Sequence, residues 1–133
     1  MLLVDTNVVL DVIENDPEWA AWSQAQLDSA ALKDILIINP VIYAELSLAF
    51  RRIEELERML AKTGLRVEPL PREGLFLAAK VFLQYRRKGG AKTGVLPDFF
   101  IGAHAAVLDL PLLTRDTARY ETYFPSLKLI SPE

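Results

Sequence analysis

The stretch Leu2-Leu3-Val4-Asp5-Thr6-Asn7 constrains the fold more than any other part of the chain. Leu2, Leu3 and Val4 make a continuous apolar run, as expected of a strand covered on both faces. Three oxygen-bearing side chains follow at once, which suits a strand end and a helix entry. In an open α/β sheet, ligands sit outside the carboxyl ends of the strands, so Asp5 stands where a ligand would. Capping of the following helix accounts for Asp5 equally well.

The same alternation recurs down the chain. Val8, Val9, Val12 and Ile13 repeat at helical spacing, and Asn15-Asp16-Pro17 ends that helix and opens another over 17–32, with Asp16 as its N-cap. Residues 35–38 read as a second strand, and Asn39-Pro40 as a cap and helix start. The helix over 41–50 is apolar on nearly all sides, which predicts burial. A charged amphipathic helix over 54–62 stops before Gly64, a C-cap candidate. A weak strand at 66–68, a long helix over 72–88, a glycine-containing loop at 89–94 and an apolar helix over 97–110 follow. Leu112-Leu113-Thr114 and Leu127 to Ile130 supply the last two strands. Strands alternating with helices predict an α/β three-layer sandwich, with a five-stranded parallel sheet flanked by helices in one domain over 1–133.

Composition narrows the chemistry. Among 133 residues there is no cysteine, which excludes disulfides, thiolate metal sites and cysteine nucleophiles. A reducing, cytoplasmic setting is the natural expectation. No secretory signal is read at the N-terminus, and no apolar run approaches the ~20 residues of a membrane span. The formal net charge of −3 means that any contact with nucleic acid would rely on local basic clusters.

Three further acids stand out. Glu45 has Val41, Ile42, Leu48 and Ala49 three and four residues away, so it faces the core or a cleft. A carboxylate there must pair with Arg or Lys, become protonated or bind a cation. Asp98, in Leu96-Pro97-Asp98-Phe99-Phe100-Ile101-Gly102-Ala103-His104, lies in the first turn of an apolar helix, where the helix dipole favours an acid in any case. Gly102 on the same face admits close approach of a substrate or of packing neighbours. Asp116 follows Leu112-Leu113-Thr114-Arg115, just past a strand, and suits a turn or cap as well as a ligand. Four converging carboxylates would repel and would need divalent cations to coexist. Oxygen ligands suit Mg²⁺ or Mn²⁺, ions that activate water and stabilise in-line attack on a phosphodiester.

Leu-Val-Asp5-Thr-Asn7, Tyr43-Ala44-Glu45-Leu46, Leu96-Pro97-Asp98-Phe99-Phe100-Ile101-Gly102-Ala103-His104-Ala105 and Leu113-Thr114-Arg115-Asp116 together resemble a PIN-domain ribonuclease, and more narrowly a VapC-type toxin. The likeness runs in order along the whole chain. It implies that Asp5, Glu45 and Asp98 are the core metal-ligating acids and Asp116 the more variable fourth, all four counted as catalytic. It implies that Thr6 or Asn7 supports Asp5 and that Thr114 hydrogen-bonds within the site. It also implies a five-stranded parallel sheet, a homodimer, an RNA substrate, and a small VapB-like antitoxin whose tail plugs the site, often with an arginine. The products would carry a 3′-hydroxyl and a 5′-phosphate.

Other features are weighed beside these. Arg86, Arg87, Lys88 and Lys92 suit contact with an RNA backbone or a solvated helix end, and Arg51-Arg52 invites the same two readings. His104 lies about 120° around the helix from Asp98, facing packing or solvent. Residues 89–93 lack the glycine before Lys92 and the preceding strand that a phosphate loop demands. Trp19, Trp22, Phe99 and Phe100 read as core or dimer contacts, and Asp11, Asp109 and Glu121 as solvated acids. Two rival functions remain: phosphoryl transfer through Asp5, as in haloacid-dehalogenase phosphatases or response-regulator receivers, and a non-catalytic module that binds RNA or protein. The phosphatase pattern wants an acid where Asn7 stands, and the receiver pattern a lysine after the last strand, where Ser131-Pro132-Glu133 follows.

Overall fold

The computed structural model describes residues 1–92 and 94–133, so Thr93, in the loop considered above, lies outside the described residues. Five strands alternate with seven helices among the described residues: β1 (Leu2–Val4), α1 (Thr6–Ile13), α2 (Ala20–Ala31), β2 (Leu36–Ile38), α3 (Pro40–Ser47), α4 (Ile53–Thr63), β3 (Arg66–Val67), α5 (Arg72–Arg87), α6 (Leu96–Leu108), β4 (Leu112–Leu113), α7 (Ala118–Tyr123) and β5 (Leu129–Ile130). The strands form one all-parallel sheet in the order β3-β2-β1-β4-β5. The expected flanked α/β sandwich is the observed one.

β1 is the central strand, pairing Leu3 with Ile37 of β2 on one side and with Leu112 of β4 on the other. Its position explains its composition. Leu3, Val4, Ile37, Ile38 and Leu112 are fully buried, as strands covered on both faces must be. Each such side chain stabilises the fold by about 1.5–3 kcal/mol relative to exposure. α1 packs on α2 and α5 on α6, while α3 touches both α1 and α6.

The strand order places the site. From β1 the chain steps outward through β2 to β3, then crosses back to β4 on the far side of β1. The order therefore reverses between β1 and β4, and a crevice opens at the carboxyl ends of those two strands. That is where open α/β sheets bind their ligands. Asp5 ends β1 and Thr114 ends β4, so both sit at its mouth.

Local chemistry sets most element ends. Asp5 caps α1 by accepting from the Thr6 N–H at 2.8 Å, and Asn39 caps α3 by accepting from the Ile42 N–H at 2.9 Å. Gly64 ends α4 at φ 76°, a left-handed conformation that an L side chain resists.

Two expectations need correction, and one helix was not expected. Asp16 does accept from the Glu18 and Trp19 N–H groups, but they belong to a turn, and α2 begins only at Ala20. α3 is not buried all round: Ile42 and Leu46 face the core, whereas Leu48, just past its end, is 90% exposed. Finally, α7 is a six-residue helix that the apolar periodicity does not announce, and it carries two residues of the site.

Candidate active site

Asp5 is the centre of the arrangement, with only 4% of its surface exposed. Its Oδ1 accepts from the Thr6 N–H. Its Oδ2 accepts from the Thr114 hydroxyl at 2.8 Å, from the Tyr120 hydroxyl at 2.9 Å and, at 3.4 Å, from the Asn7 amide. The Thr114 bond spans the crevice between β1 and β4. Burial pushes the Asp5 carboxyl up to about 6 against these hydrogen bonds, and the nearby Asp98 charge adds to the rise. No cation touches this buried acid among the described residues.

Glu45 reaches the same place from α3. Its Oε1 accepts from the Thr6 hydroxyl at 2.6 Å, so Thr6 joins the two acids, one through its N–H and the other through its O–H. Glu45 is half-buried, and its ligand is a hydroxyl; no Arg or Lys pairs with it among the described residues. Burial raises its pKa, and Asp98 contributes to the rise.

Asp98, in the first turn of α6, is the hub. It raises the pKa values of both Asp5 and Glu45 and is itself raised, chiefly by burial and also by Asp116. Its Oδ2 accepts from Arg119 Nη1 at 2.6 Å. Asp116 is the outermost acid, with an exposed side chain on a turn whose Asp116 N–H donates to the Thr114 hydroxyl oxygen at 3.1 Å. The four predicted acids thus share one rim and act electrostatically through Asp98.

All-oxygen donors that destabilise one another fit a hard divalent cation in kind. As the side chains stand, no three of the described His, Asp or Glu residues converge to hold one ion. Asp98 instead points an oxygen at Arg119.

The family model of the PIN domain matches residues 2–125. The chain belongs to the PIN domain family.

Solved structures share the whole PIN fold with this chain. VapBC2 from Rickettsia felis bound to a promoter DNA fragment superposes with a TM-score of 0.76 at 19% identity, over 99% of this chain and 98% of that one. FitAcB from Neisseria gonorrhoeae gives 0.72 at 22% identity, over 98% and 96%. DNA-bound VapBC from Salmonella typhimurium gives 0.72 at 19%, over 98% of each chain. A comparison with curated proteins finds no match.

Several residues of this PIN domain take places the sequence did not assign. Tyr120 and Arg119 come from α7, and neither stands in the motifs above. Tyr120 is buried, and burial followed by the charges of Asp5, Asp98 and Glu45 keeps its hydroxyl protonated well above the ordinary range. Asp11, expected to be solvated, is 2% exposed and accepts from Ser23 and from both Nε and Nη2 of Arg115. Its position three residues after Val8 on α1 was the available signal for burial.

His104 is fully buried, with Nδ1 3.1 Å from the Asn39 amide nitrogen. Asn39 spends its carbonyl on the α3 cap, so its amide donates to Nδ1 and leaves the proton on Nε2. Burial lowers the His104 pKa, which keeps the ring neutral and far from an acid–base task. Gly102 faces Phe124, so it serves packing. Phe99 is core, and Trp19 lies under Arg115. Arg86, Arg87, Lys88 and Lys92 are exposed at the end of α5 and beyond, and none is ion-paired among the described residues.

Proposed function

We propose that this PIN domain is a VapC-type endoribonuclease that depends on Mg²⁺ or Mn²⁺ and acts as a toxin restrained by a VapB-like antitoxin. One observation carries the reading: Asp5, Glu45, Asp98 and Asp116 share the rim of the β1–β4 crevice, where the Asp98 charge raises the pKa of Asp5 and Glu45 and the Asp116 charge raises that of Asp98, with one guanidinium in direct contact. Such a cluster is stable when it binds cationic charge.

Asp5, Glu45, Asp98 and Asp116 would hold the metal. When bound, the ion supplies Lewis acidity toward a phosphodiester and its attacking water. The chain's own part is preorganisation. Thr6 fixes Asp5 and Glu45 relative to each other, and Thr114 ties Asp5 to the turn carrying Asp116. The buried Tyr120 hydroxyl donates to Asp5 Oδ2 and fixes the direction of the carboxylate. Asn7 adds a link by donating to Thr114 and accepting from the Arg115 N–H. Arg86, Arg87, Lys88 and Lys92 supply cationic charge for an RNA backbone.

The partners follow the same reading. Structures with this fold include toxin–antitoxin and VapBC complexes. An apolar groove of about 630 Å³ between α1, α2 and α4, lined by Val9, Val12, Leu27, Phe50 and Met59, offers surface for an antitoxin segment. We extend the reading to one domain over 1–133, a homodimer and a cytoplasmic setting; no helix among the described residues is long and apolar enough to cross a membrane.

The receiver form of the phosphoryl-transfer alternative is disfavoured by topology, because receiver domains order their strands 2-1-3-4-5 and this sheet runs 3-2-1-4-5; the phosphatase form is disfavoured by Asn7, which stands where its second acid belongs. The non-catalytic alternative separates by experiment. Incubation of the protein with structured RNA and Mg²⁺ or Mn²⁺ should give cleavage that EDTA and Asp98→Asn both abolish. RNA that is bound in a gel shift but never cut would instead favour the binding module.

A further inference from the structure

Arg119 and Tyr120 are consecutive residues of α7 and meet two different acids of the rim, Asp98 and Asp5. Tyr120 brings a neutral hydroxyl, and Arg119 brings a full positive charge. The Arg119–Asp98 contact is short, at 2.6 Å, and both side chains are about two-thirds covered, 26% and 31% exposed. It is not a loose surface pair. α7 is held in place behind it, because Phe124 at its end lies against Gly102 of α6, the helix that carries Asp98.

The guanidinium therefore neutralises the hub of an acidic cluster that lacks any other cationic contact among the described residues. It also occupies one side of Asp98 Oδ2, an oxygen that a shared cation would use. With Arg119 on Asp98, no three of the described acids converge on a common point.

We propose that Arg119 is an internal counter-cation, which holds Asp98 in the ion-free protein and is displaced from it when the divalent ion binds. The proposal rests on the metal-dependent reading of the site and concerns a positioning residue of it. Ion binding becomes an exchange of one cation for another, so Asp98 never stands unpaired. The exchange lowers intrinsic affinity for the ion. A residue that only supported the site would raise it.

The test is a Mn²⁺ titration of the purified full-length protein by calorimetry, in the wild type, Arg119→Gln, Arg119→Lys and Asp98→Asn. Loss of the competing pair should tighten Mn²⁺ binding by about fivefold in Arg119→Gln, the scale of a part-exposed ion pair. Arg119→Lys, which keeps a charge but loses the planar fork, should fall between wild type and Arg119→Gln. It also serves if Arg119→Gln does not fold. The melting-temperature rise on adding Mn²⁺ should be larger in Arg119→Gln than in the wild type. Removal of a nearby charge would by itself tighten binding, so displacement is read separately in the wild type. The Arg119 guanidinium resonances, assigned by comparison with Arg119→Lys, should shift, and the Nη1 protons bonded to Asp98 should lose protection, on saturation with Mg²⁺.

Binding that is unchanged or weakened in both Arg119 variants overturns the proposal, as does an Arg119 resonance unmoved at saturation. Those outcomes leave the metal site standing, provided Asp98→Asn still abolishes binding. Absence of any saturable binding that Asp98→Asn removes would overturn the metal reading and this proposal together.

Discussion

Arg115 donates both Nε and Nη2 to Asp11, at 2.8 and 2.9 Å, and so ties the turn after β4 to the middle of α1. The pair is reinforced on each side. Ser23 of α2 donates to the same carboxylate at 2.8 Å, the Trp19 ring lies 5.6 Å from the guanidinium, and the Arg115 N–H donates to Asn7. The hydrogen bond to Asp11 raises the Arg115 pKa further above its ordinary value. Thr114 and Asp116 flank Arg115, so this clasp aims two site residues without touching the chemistry.

Asp11→Ala tests the clasp. Removal of the buried partner leaves Arg115 facing a cavity and the Ser23 hydroxyl unpaired, a change that costs about 2–4 kcal/mol. Arg115 is 30% exposed and can turn to water, which places the loss toward the lower end. Urea unfolding reads it directly, and a change under about 0.5 kcal/mol, the surface-substitution scale, would deny the clasp a structural role.

Asp5 makes ion-free stability depend on pH in an unusual direction. Its carboxyl sits at about 6 in the folded chain against an ordinary value of 3.8, so the folded form holds more protons between those values. Stability must then fall as pH rises through about 4 to 6. Glu45 and Asp98 are raised and act in the same sense, whereas His104 is lowered and opposes them. Asp5→Asn removes the Asp5 contribution alone. In EDTA at pH 7.5 the variant should exceed the wild type by up to about 3 kcal/mol, with the gap closing below pH 4. Equal pH profiles for the two proteins would show that Asp5 is already compensated.

Gly102→Ala tests the packing of α6 on the segment after α7. A Cβ at this position would lie 2.5 Å from two carbons of the Phe124 ring, so the ring must move. Overpacking of this kind costs about 1–3 kcal/mol. Because α7 carries Arg119 and Tyr120, the variant should also lose RNA cleavage beyond its loss of stability. Thermal melts and single-turnover cleavage, read together, separate the two effects.

Neutralisation of Arg86, Arg87 and Lys88 tests the proposed RNA-binding surface. With three fewer phosphates of a single strand neutralised, the slope of log affinity against log salt should flatten by about 2. Measurement uses Asp98→Asn as the background so that RNA is bound and not cut. An unchanged slope would leave these residues as an ordinary solvated helix end.

The strands and most helices were legible because each depends on local pattern. The Leu2–Val4 run, the Asn39 cap and Gly64 at positive φ are decided within a few residues of chain. Glu45 and Asp98 were visible for a related reason: an acid in apolar surroundings has to be explained by something outside its own segment. Asp11 was missed because its partner lies 104 residues away. Arg119 and Tyr120 were missed because an arginine and a tyrosine on a six-residue helix look like surface residues until their neighbours are known.

By itself, then, the sequence determined the alternation of buried strands and helices, the caps that time it, and the acids placed at strand ends and first helical turns. These follow from hydrophobic period and backbone hydrogen bonding, which act over a few residues. Only the tertiary structure decided that the chain crosses over between β3 and β4, and so opens the crevice beside Asp5. It alone decided that Thr6 joins Asp5 to Glu45, that Arg119 meets Asp98, and that Arg115 is spent on Asp11. Charge pairing and hydrogen bonding act at 2.6–2.9 Å between groups that the chain order leaves far apart, and no local pattern encodes them.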